Sequence, residues 1–353
     1  MKKISFFCFL LFVVACSKEE KWTITKLPEP EVFLSDESLN DPYSLAVSDK
    51  FLVLKNWQSD TIIDVYDLQS RHCITHALPR GQGPNEGLHT TDIQYAAKEA
   101  CFYLPDWGHY VMYQLKEADF GEPMAPVSVA FRFNPEQLAD SVILRDWWKM
   151  MDNGKIVASN ATPKGMLAYC EPSLAHVDFL APYPKKEDVN PELDDWGHIG
   201  LYQCSSAASP DGRKVAAAYH SADFLNLLTV DENGSASVQS IVEALPNDIY
   251  VIQAGNGMTQ GAFTGDSYLY YVDVTATDRS VYALYSGKRN RDCARGISRG
   301  NFVRVYDWEG NRKCMYDLGT EVLGIAVSPD EAYLYAVSSS SEEGLSVLRY
   351  QLD

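Results

Sequence analysis

The chain lacks any hydrophobic run long enough to cross a membrane as a helix. Its longest apolar segment, Ile4–Val14, would rise about 16 Å at about 1.5 Å per residue, whereas a bilayer core is about 30 Å thick. No later stretch approaches 18 consecutive apolar residues. The sequence therefore predicts no transmembrane helix.

Common catalytic signatures are also missing. The sequence contains no Cys-x-x-Cys, His-Glu-x-x-His, Gly-x-Ser-x-Gly or Walker motif. Gly81–Gly87 and Gly255–Gly261 both read Gly-x-Gly-x-x-x-Gly, but neither opens a helix in a βαβ unit, so neither is a dinucleotide fingerprint. Their glycines are better explained by tight loops that need positive φ.

Positive charge is scarce. Lys and Arg number 30 against 48 Asp and Glu, a net charge of −18. Nucleic acids and anionic membrane surfaces would repel such a protein, so neither is expected as a partner. The eight cysteines form no tight disulfide framework, and we expect most of those after Cys16 to be small buried hydrophobic residues.

What the chain does have at its start is a targeting pattern. Met1-Lys2-Lys3, the apolar run and Val13-Val14-Ala15-Cys16 together resemble a bacterial lipoprotein signal peptide with its lipobox. The resemblance implies cleavage of residues 1–15, lipid on Cys16, attachment to the membrane through that lipid, and a mature charge of −20 once Lys2 and Lys3 are lost. Residues 16–27 are then a lipidated tether.

The residues after Cys16 refine this address. Ser17 is not aspartate, which in lipoprotein sorting implies the outer membrane. Ser17-Lys18-Glu19-Glu20 resembles the short acidic export signal of Bacteroidetes surface lipoproteins, which implies display at the cell surface. The alternative is a plain charged tether in the periplasm.

The body of the chain, residues 28–353, reads as all-β. Short β-branched and aromatic runs, with 21 tyrosines, alternate with Asp, Gly, Asn, Pro and Ser turns. Degenerate hairpin units recur about every 45 to 60 residues, which is typical of propeller blades. Six first strands are expected near Tyr43, Asp92, Val142, Leu201, Ser267 and Val322.

These units predict a six-bladed β-propeller. The last unit offers three strands, so a strand near Glu31–Leu34 should complete it by pairing the N- and C-terminal strands. Two β-sandwiches are the alternative, but no Pro- or Ser-rich linker divides the chain.

One loop carries a family resemblance. Gly81-Gln82-Gly83-Pro84-Asn85-Glu86-Gly87 resembles the Gly-x-Gly-Pro-x-Glu loop of the TolB-like six-bladed propeller lipoproteins of Bacteroidetes. It departs from the usual pattern at Gly87-Leu88, where an aromatic residue is commoner. The resemblance supplies no catalytic residues that could be carried over to this sequence.

Propeller topology selects the loops that could bind a ligand. With the strands of a blade lettered A to D outward from the axis, B–C loops and D–A connections open on one face, called here the top face. Two of them contain Asp-Trp-Gly-His, in which indole could stack on a sugar while Asp and His bond its hydroxyls; alternatively, Trp caps the blade and Asp sets the turn. The resulting candidate ligand-binding residues are Arg80, Glu86, Asp106, Trp107, His109, Asp195, Trp196 and His198.

A basic loop lies on the same face. Arginine side chains fit carboxylate, phosphate or sulfate groups, so this loop could receive an anionic ligand. Alternatively, it offsets nearby acidic residues. Its basic residues are Lys288, Arg289, Arg291, Arg295 and Arg299, of which Arg289 and Arg291 are the candidate binding residues.

The leading functional hypothesis is a lipid-anchored binding module for a protein, peptide or glycan at the cell envelope. The alternative is a propeller hydrolase, lactonase or lyase that acts on a glycan-derived substrate with a divalent metal in the central channel. An enzyme would be distinguished from a binding module by acidic or histidine side chains from different blades that converge in the channel. The inner-strand candidates are Asp92, Asp146 and Asp273. No other cofactor is predicted.

The lipid anchor can be tested directly. Cys16→Ala removes the acylation site, so the protein should move from the membrane fraction to the soluble fraction and lose metabolic lipid label. A mutant that keeps its label would contradict the assignment of Cys16.

Overall fold

Many strands in the described part of the chain are buried on both faces. In β4 (Phe51–Asn56), Leu52 and Leu54 pack toward one neighbouring blade and Val53 toward the other. This explains why its sequence is a continuous apolar run and does not alternate with polar residues. The computed structural model describes residues 22–35, 39–83, 85–134, 144–255, 257–293, 298–340 and 344–352.

The described residues form six antiparallel blades of four strands each. Blade 1 contains β3 (Pro42–Val47), β4, β5 (Thr61–Asp67) and β6 (Cys73–Pro79); blade 2 contains β7 (Gln94–Ala96), β8 (Cys101–Asp106), β9 (Val111–Lys116) and β11 (Ser128–Arg132); blade 3 contains β12 (Leu144–Met150), β13 (Ile156–Thr162), β14 (Gly165–Cys170) and β15 (Val177–Leu180). Blade 4 contains β16 (Cys204–Ala208), β17 (Lys214–Tyr219), β18 (Asp223–Val230) and β19 (Ala236–Ala244); blade 5 contains β22 (Tyr268–Ala276), β23 (Ser280–Arg289), β24 (Gly300–Asp307) and β25 (Arg312–Val322); blade 6 contains β26 (Gly324–Val327), β27 (Tyr333–Ser340), β28 (Gly344–Gln351) and β2 (Glu31–Ser35).

Within the described residues, four further strands and one α-helix flank the blades. Strand β1 (Ile24–Lys26) adds in parallel to the outer edge of blade 5, and β10 (Met124–Ala125) does the same on blade 1. The hairpin of β20 (Ile249–Gly255) and β21 (Met258–Phe263) follows blade 4 in the sequence, packs against the apolar cluster between blades 3 and 4, and contacts helix α1 (Asp195–Ile199).

The beginning of the described chain lies on the propeller. Besides the pairing of β1, the Trp22 ring packs edge-on against Tyr306 at 5.2 Å between centroids. Residues 22–27 belong to the segment expected from the sequence to be a lipidated tether; in the structure, pairing with the edge of β25 and the aromatic contact of Trp22 hold them against blade 5. Cys16 and the signal segment lie outside the described residues.

Blade 6 is shared by the two ends of the chain. Strand β2 pairs antiparallel with β28, with Glu31 opposite Arg349 and Ser35 opposite Ser346. The Glu31 carboxylate also receives Arg349 at 2.5 Å and Arg71 of blade 1 at 2.6 Å. The predicted six-bladed propeller, closed by its N- and C-terminal strands, is confirmed.

Apolar side chains fill each interface between neighbouring blades. The described residues form six such clusters, one at every interface around the ring. At the closing interface, Phe33 and Leu34 of β2 meet Leu52 and Tyr66 of blade 1. Since full burial of one such side chain is worth about 1.5–3 kcal/mol, these interfaces stabilise the ring.

Neither a membrane-spanning helix nor a disulfide occurs in the described part of the chain: no helix there is long and apolar enough to cross a bilayer, and six cysteines are free. Cys101, Cys170 and Cys204 are buried as expected of small hydrophobic residues, whereas Cys73 is exposed.

The closure predicts how the C-terminus supports stability. Deleting the residues after Leu345 removes most of β28, which separates β2 from β27 and leaves backbone groups unpaired. We expect the cooperative thermal transition to be lost, not merely shifted, when followed by circular dichroism. A truncated protein that melts like the intact one would contradict this closure.

The closing strand can also be tested by side chain. Phe33 is buried against Tyr335, so Phe33→Ala should lower the free energy of unfolding by about 3–5 kcal/mol in denaturant titration. The neighbouring Val32 is 54% exposed, so Val32→Ala should change it by less than about 0.5 kcal/mol. Equal effects would mean that β2 does not seal the ring.

Candidate functional site

The inner strands surround a channel that widens into a cavity at the top face. The cavity has a volume of about 270 Å³ and takes lining residues from all six blades. Its walls come from the inner strands and the residues just before them. His220, which follows β17 in a B–C loop, also lines the cavity, so it opens on the top face. Polar groups that line it include Tyr43, Asp92, Asp146, Ser205, Ser206, His220 and Asp273.

Asp92 is held in this channel by two other blades. The buried Lys149 ammonium of blade 3 forms an ion pair with Asp92 Oδ2, and the Ser206 hydroxyl of blade 4 donates to the same oxygen at 3.1 Å. Lys149 is only 1% exposed, so its charge is available to little besides Asp92. The axis thus carries a built-in cation next to its acidic groups.

Asp273 faces the same region with a different environment. Its two carboxylate oxygens accept the backbone N–H groups of Val274 at 2.8 Å and Ile325 at 2.9 Å. Burial raises the pKa of Asp273 to about 6, and the nearby Asp92 carboxylate adds to this, although the two hydrogen bonds oppose it. Asp273 therefore gains a proton just below neutral pH.

His220 and Asp146 complete the polar wall. The His220 Nε2 lies 3.0 Å from the Ser205 hydroxyl, and burial lowers the pKa of His220 to about 4, so the ring is neutral at physiological pH. Asp146 has a φ of 55° where the register of β12 shifts. Left-handed backbone at a strand irregularity is a device that re-aims a side chain, here into the cavity.

A second depression, called here the mouth recess, adjoins the cavity through their common wall, Tyr43. It has a volume of about 360 Å³ and is lined by Tyr43, Asn56, Trp57, Arg80, Leu88, His89 and Thr90. Trp57 is 62% exposed and stands edge-on to Tyr43 at 5.1 Å. Arg80 donates to the carbonyls of Ser59 and Asn56 at 3.0 and 3.2 Å, which fixes its guanidinium while leaving further N–H donors.

An unusual lysine lies behind Tyr43. Lys55 is buried, its Nζ lies 4.4 Å from the centroid of the Tyr43 ring, and it makes no hydrogen bond to any residue that the structure describes. Burial lowers the pKa of Lys55 to about 7. A substantial fraction of this amine is therefore uncharged at neutral pH.

The glycine-rich loop that includes Glu86 is built around that carboxylate. Glu86 Oε2 accepts the Gly83 N–H at 2.7 Å, and a Cβ added at Gly81 would lie 2.0 Å from the same oxygen. A side chain at Gly81 would therefore displace the Glu86 carboxylate from the loop. Glu86 thus orders the loop next to the mouth recess. Among the residues that line the recess, only Arg80 was a predicted binding residue.

The first Asp-Trp-Gly-His segment organises a turn. Asp106 is fully buried and accepts the N–H groups of Leu88 at 2.7 Å, His89 at 3.1 Å and Gly108 at 2.7 Å. It therefore fixes the backbone that presents His89 to the mouth recess. Trp107 packs on Trp148 at 4.8 Å, and His109 contacts Asp106 at 3.3 Å. This arrangement matches the alternative in which Trp caps the blade and Asp sets the turn.

The second Asp-Trp-Gly-His segment adopts a different structure, although its sequence is the same. It forms α1, with Asp194 as N-cap accepting the Gly197 N–H at 2.7 Å. His198 is buried and contacts the Pro184 carbonyl at 2.7 Å through Nε2, and burial lowers its pKa. Asp195 and Trp196 remain exposed, and Asp195 pairs with Lys186 at 3.3 Å.

The basic loop is largely matched by acidic neighbours. Arg289 and Arg291 both contact Asp266, at 2.9 and 2.6 Å, and Lys288 pairs with Glu321. Arg295 lies outside the described residues. Ion pairing of this kind fits the alternative in which the loop offsets nearby acids, and anion binding by Arg289 and Arg291 stays a prediction.

Sequence reasoning named the channel carboxylates but missed Trp57, His220 and Lys149. Trp57 was detectable only as an aromatic residue in a polar B–C loop, Trp57-Gln58-Ser59-Asp60. Lys149 gave no signal, because its apolar neighbours read as an ordinary strand.

Comparisons with known proteins agree with this architecture. Residues 201–330 match a family model described as TolB-like 6-blade propeller-like. No curated protein matches the chain.

Two solved structures from Bacteroides resemble the whole fold. One is a member of the DUF4221 family from Bacteroides vulgatus, 12% identical, covering 92% of this chain and 96% of its own, with a TM-score of 0.59. The other, from Bacteroides fragilis NCTC 9343, has a name that describes an exported protein; it is 12% identical, covers 94% of this chain and 93% of its own, and has a TM-score of 0.51. The chain is thus a six-bladed β-propeller, similar over residues 201–330 to the TolB-like propellers.

Proposed function

We propose that this protein is a lipid-anchored propeller of the bacterial cell envelope, related to the TolB-like lipoproteins of Bacteroidetes, that binds the end of a glycan at the mouth of its channel. The lipobox-like residues before Cys16 and the exported Bacteroides structure of the same fold support the location. The observation that carries the binding proposal is the mouth recess, where an exposed tryptophan stands beside fixed polar groups.

The chemistry of the mouth recess suits a sugar ring. The Trp57 indole offers a flat apolar surface to the C–H face of a pyranose. Arg80 and His89 lie in the same recess and can bond its hydroxyls. The recess volume of about 360 Å³ lies at the low end of ligand pockets, which favours a terminal sugar over a long chain.

The adjoining cavity extends the site toward the axis. The Asp146 carboxylate can accept hydrogen bonds from hydroxyls, and neutral His220 adds a further polar ring to the wall, whereas the Ser205 hydroxyl already donates to the Val272 carbonyl at 3.2 Å. A second sugar unit that passes Tyr43 would meet these groups.

Metal-dependent catalysis in the channel is the second candidate. It is favoured by three aspartates and His220 from four blades in one cavity. However, Asp92 is neutralised by Lys149, and Asp273 is engaged by two backbone amides. Among the described residues, the channel carboxylates do not form a set of three ligand atoms close enough for one ion. Binding without a channel metal is therefore the better supported function.

Two exposed tryptophans of the top face give a matched test. Trp57→Ala should remove the stacking surface and weaken binding in a glycan array by about 2- to 12-fold, the equivalent of about 0.5–1.5 kcal/mol. Trp196, at 46% exposure, lies outside the mouth recess, so Trp196→Ala should leave the same spots unchanged. The reverse pattern would favour the Asp-Trp-Gly-His loop that sequence reasoning selected, and an array without any Trp57-dependent spot would refute the glycan site.

The ion pair between Lys149 and Asp92 predicts how calcium affects the melting temperature. Lys149→Met leaves the Asp92 carboxylate without its ammonium, which should cost about 3–5 kcal/mol of unfolding free energy. Calcium should not raise the melting temperature of the wild-type protein, but it should partly restore that of the variant. A calcium-induced rise in the wild type would favour the metal-dependent enzyme instead.

A further inference from the structure

Three potential metal ligands meet in blade 1, away from the channel. Asp64 lies on β5, and Cys73 and His76 lie on the adjacent strand β6. One carboxylate oxygen, the thiol sulfur and one imidazole nitrogen all lie within 4.8 Å of one another. Oxygen, sulfur and nitrogen together form a donor set that suits zinc and related transition metals.

An irregularity in the sheet creates this cluster. Asp64 lies directly opposite His76, so their side chains share one face of the blade. Cys73 is three residues from His76 and would point to the other face of a regular strand. The register shifts between Val65 and Tyr66, which places Cys73 opposite Tyr66 and returns its side chain to the face of Asp64 and His76.

Two asparagines orient the carboxylate. Asn40 and Asn56 both donate their side-chain amides to Asp64 Oδ2, at 2.7 and 2.8 Å. This leaves Asp64 Oδ1 toward His76, whose Nδ1 lies 2.6 Å away. Such outer hydrogen bonds are how proteins hold metal-binding carboxylates in place.

The cluster is open to solvent on one side. Asp64 forms its floor at 1% exposure, whereas the His76 side chain is 44% exposed and Cys73 is exposed. An ion can therefore reach the three donors without opening the core.

We propose that Asp64, Cys73 and His76 bind a zinc ion with an open fourth position. Asn40 belongs to the connection that follows the closing strand β2, so the site lies where blade 6 is joined to blade 1. Bound zinc would hold β5 and β6 together at that junction and stabilise the closure of the ring. The site shares Asn56 with the mouth recess, but none of the three proposed zinc ligands lines that recess.

Cobalt and zinc titrations test the proposal on the reduced, full-length protein. We expect one equivalent of Co²⁺ to bind with a thiolate-to-cobalt charge-transfer band, to be displaced by Zn²⁺, and Zn²⁺ to raise the melting temperature. Cys73→Ser and His76→Gln should each abolish the band or weaken Zn²⁺ binding at least ten-fold. Asn40→Ala, which alters positioning only, should keep the band but weaken binding by about 10- to 100-fold.

Nearby residues supply controls. His72→Gln changes an exposed histidine of the same hairpin, and Cys314→Ser changes a cysteine of another blade, so both should bind zinc like the wild type. Co²⁺ binding without a thiolate band, or unchanged Zn²⁺ affinity in folded Cys73→Ser, would overturn the proposal. Because Cys73 is exposed, Cys73→Ser should not disturb the core. If this variant melts cooperatively, its loss of Zn²⁺ affinity comes from the missing thiol and not from unfolding.

Discussion

Ring closure is the constraint on which the rest of this structure depends. Each blade buries apolar side chains on both faces, so it needs a neighbour on each side, and the ring has no free end at which a face could be left open. The two ends of the chain meet this requirement together, because β2 joins β28 and carries Phe33 and Leu34 into the last interface. Every top-face loop is positioned by that ring.

Closure also forces charged residues from distant parts of the sequence into one narrow channel. Asp92, Lys149 and Ser206 come from three blades and meet in one hydrogen-bonded ion pair. Since burying an unpaired charge is costly, the lysine explains how the acidic axis is tolerated in a protein of net charge −18.

Carboxylates on the top face serve mainly to shape loops. Asp106, Glu86 and Asp194 each accept backbone N–H groups, so their charges are used within the loops that contain them. Asp106 positions His89 beside the mouth recess, Glu86 shapes the glycine-rich turn, and Asp194 caps the helix that carries the exposed Trp196. The proposed glycan site therefore depends on Asp106 indirectly, through the backbone that it holds.

The sequence by itself determined the fold and the number of blades, because strand runs, turn residues and their spacing are local properties of the chain. It also named Asp92, Asp146 and Asp273, since an acidic residue at an inner strand stands out from its apolar neighbours. Only the tertiary structure decided what those residues do. The sequence Asp-Trp-Gly-His forms a buried turn at Asp106 and a helix at Asp195, because different neighbours supply the hydrogen-bond partners. Trp57, Lys149 and the Asp64–Cys73–His76 cluster emerged only once blades, registers and one strand irregularity were in place, since proximity between residues on separate strands is not a local property of the sequence.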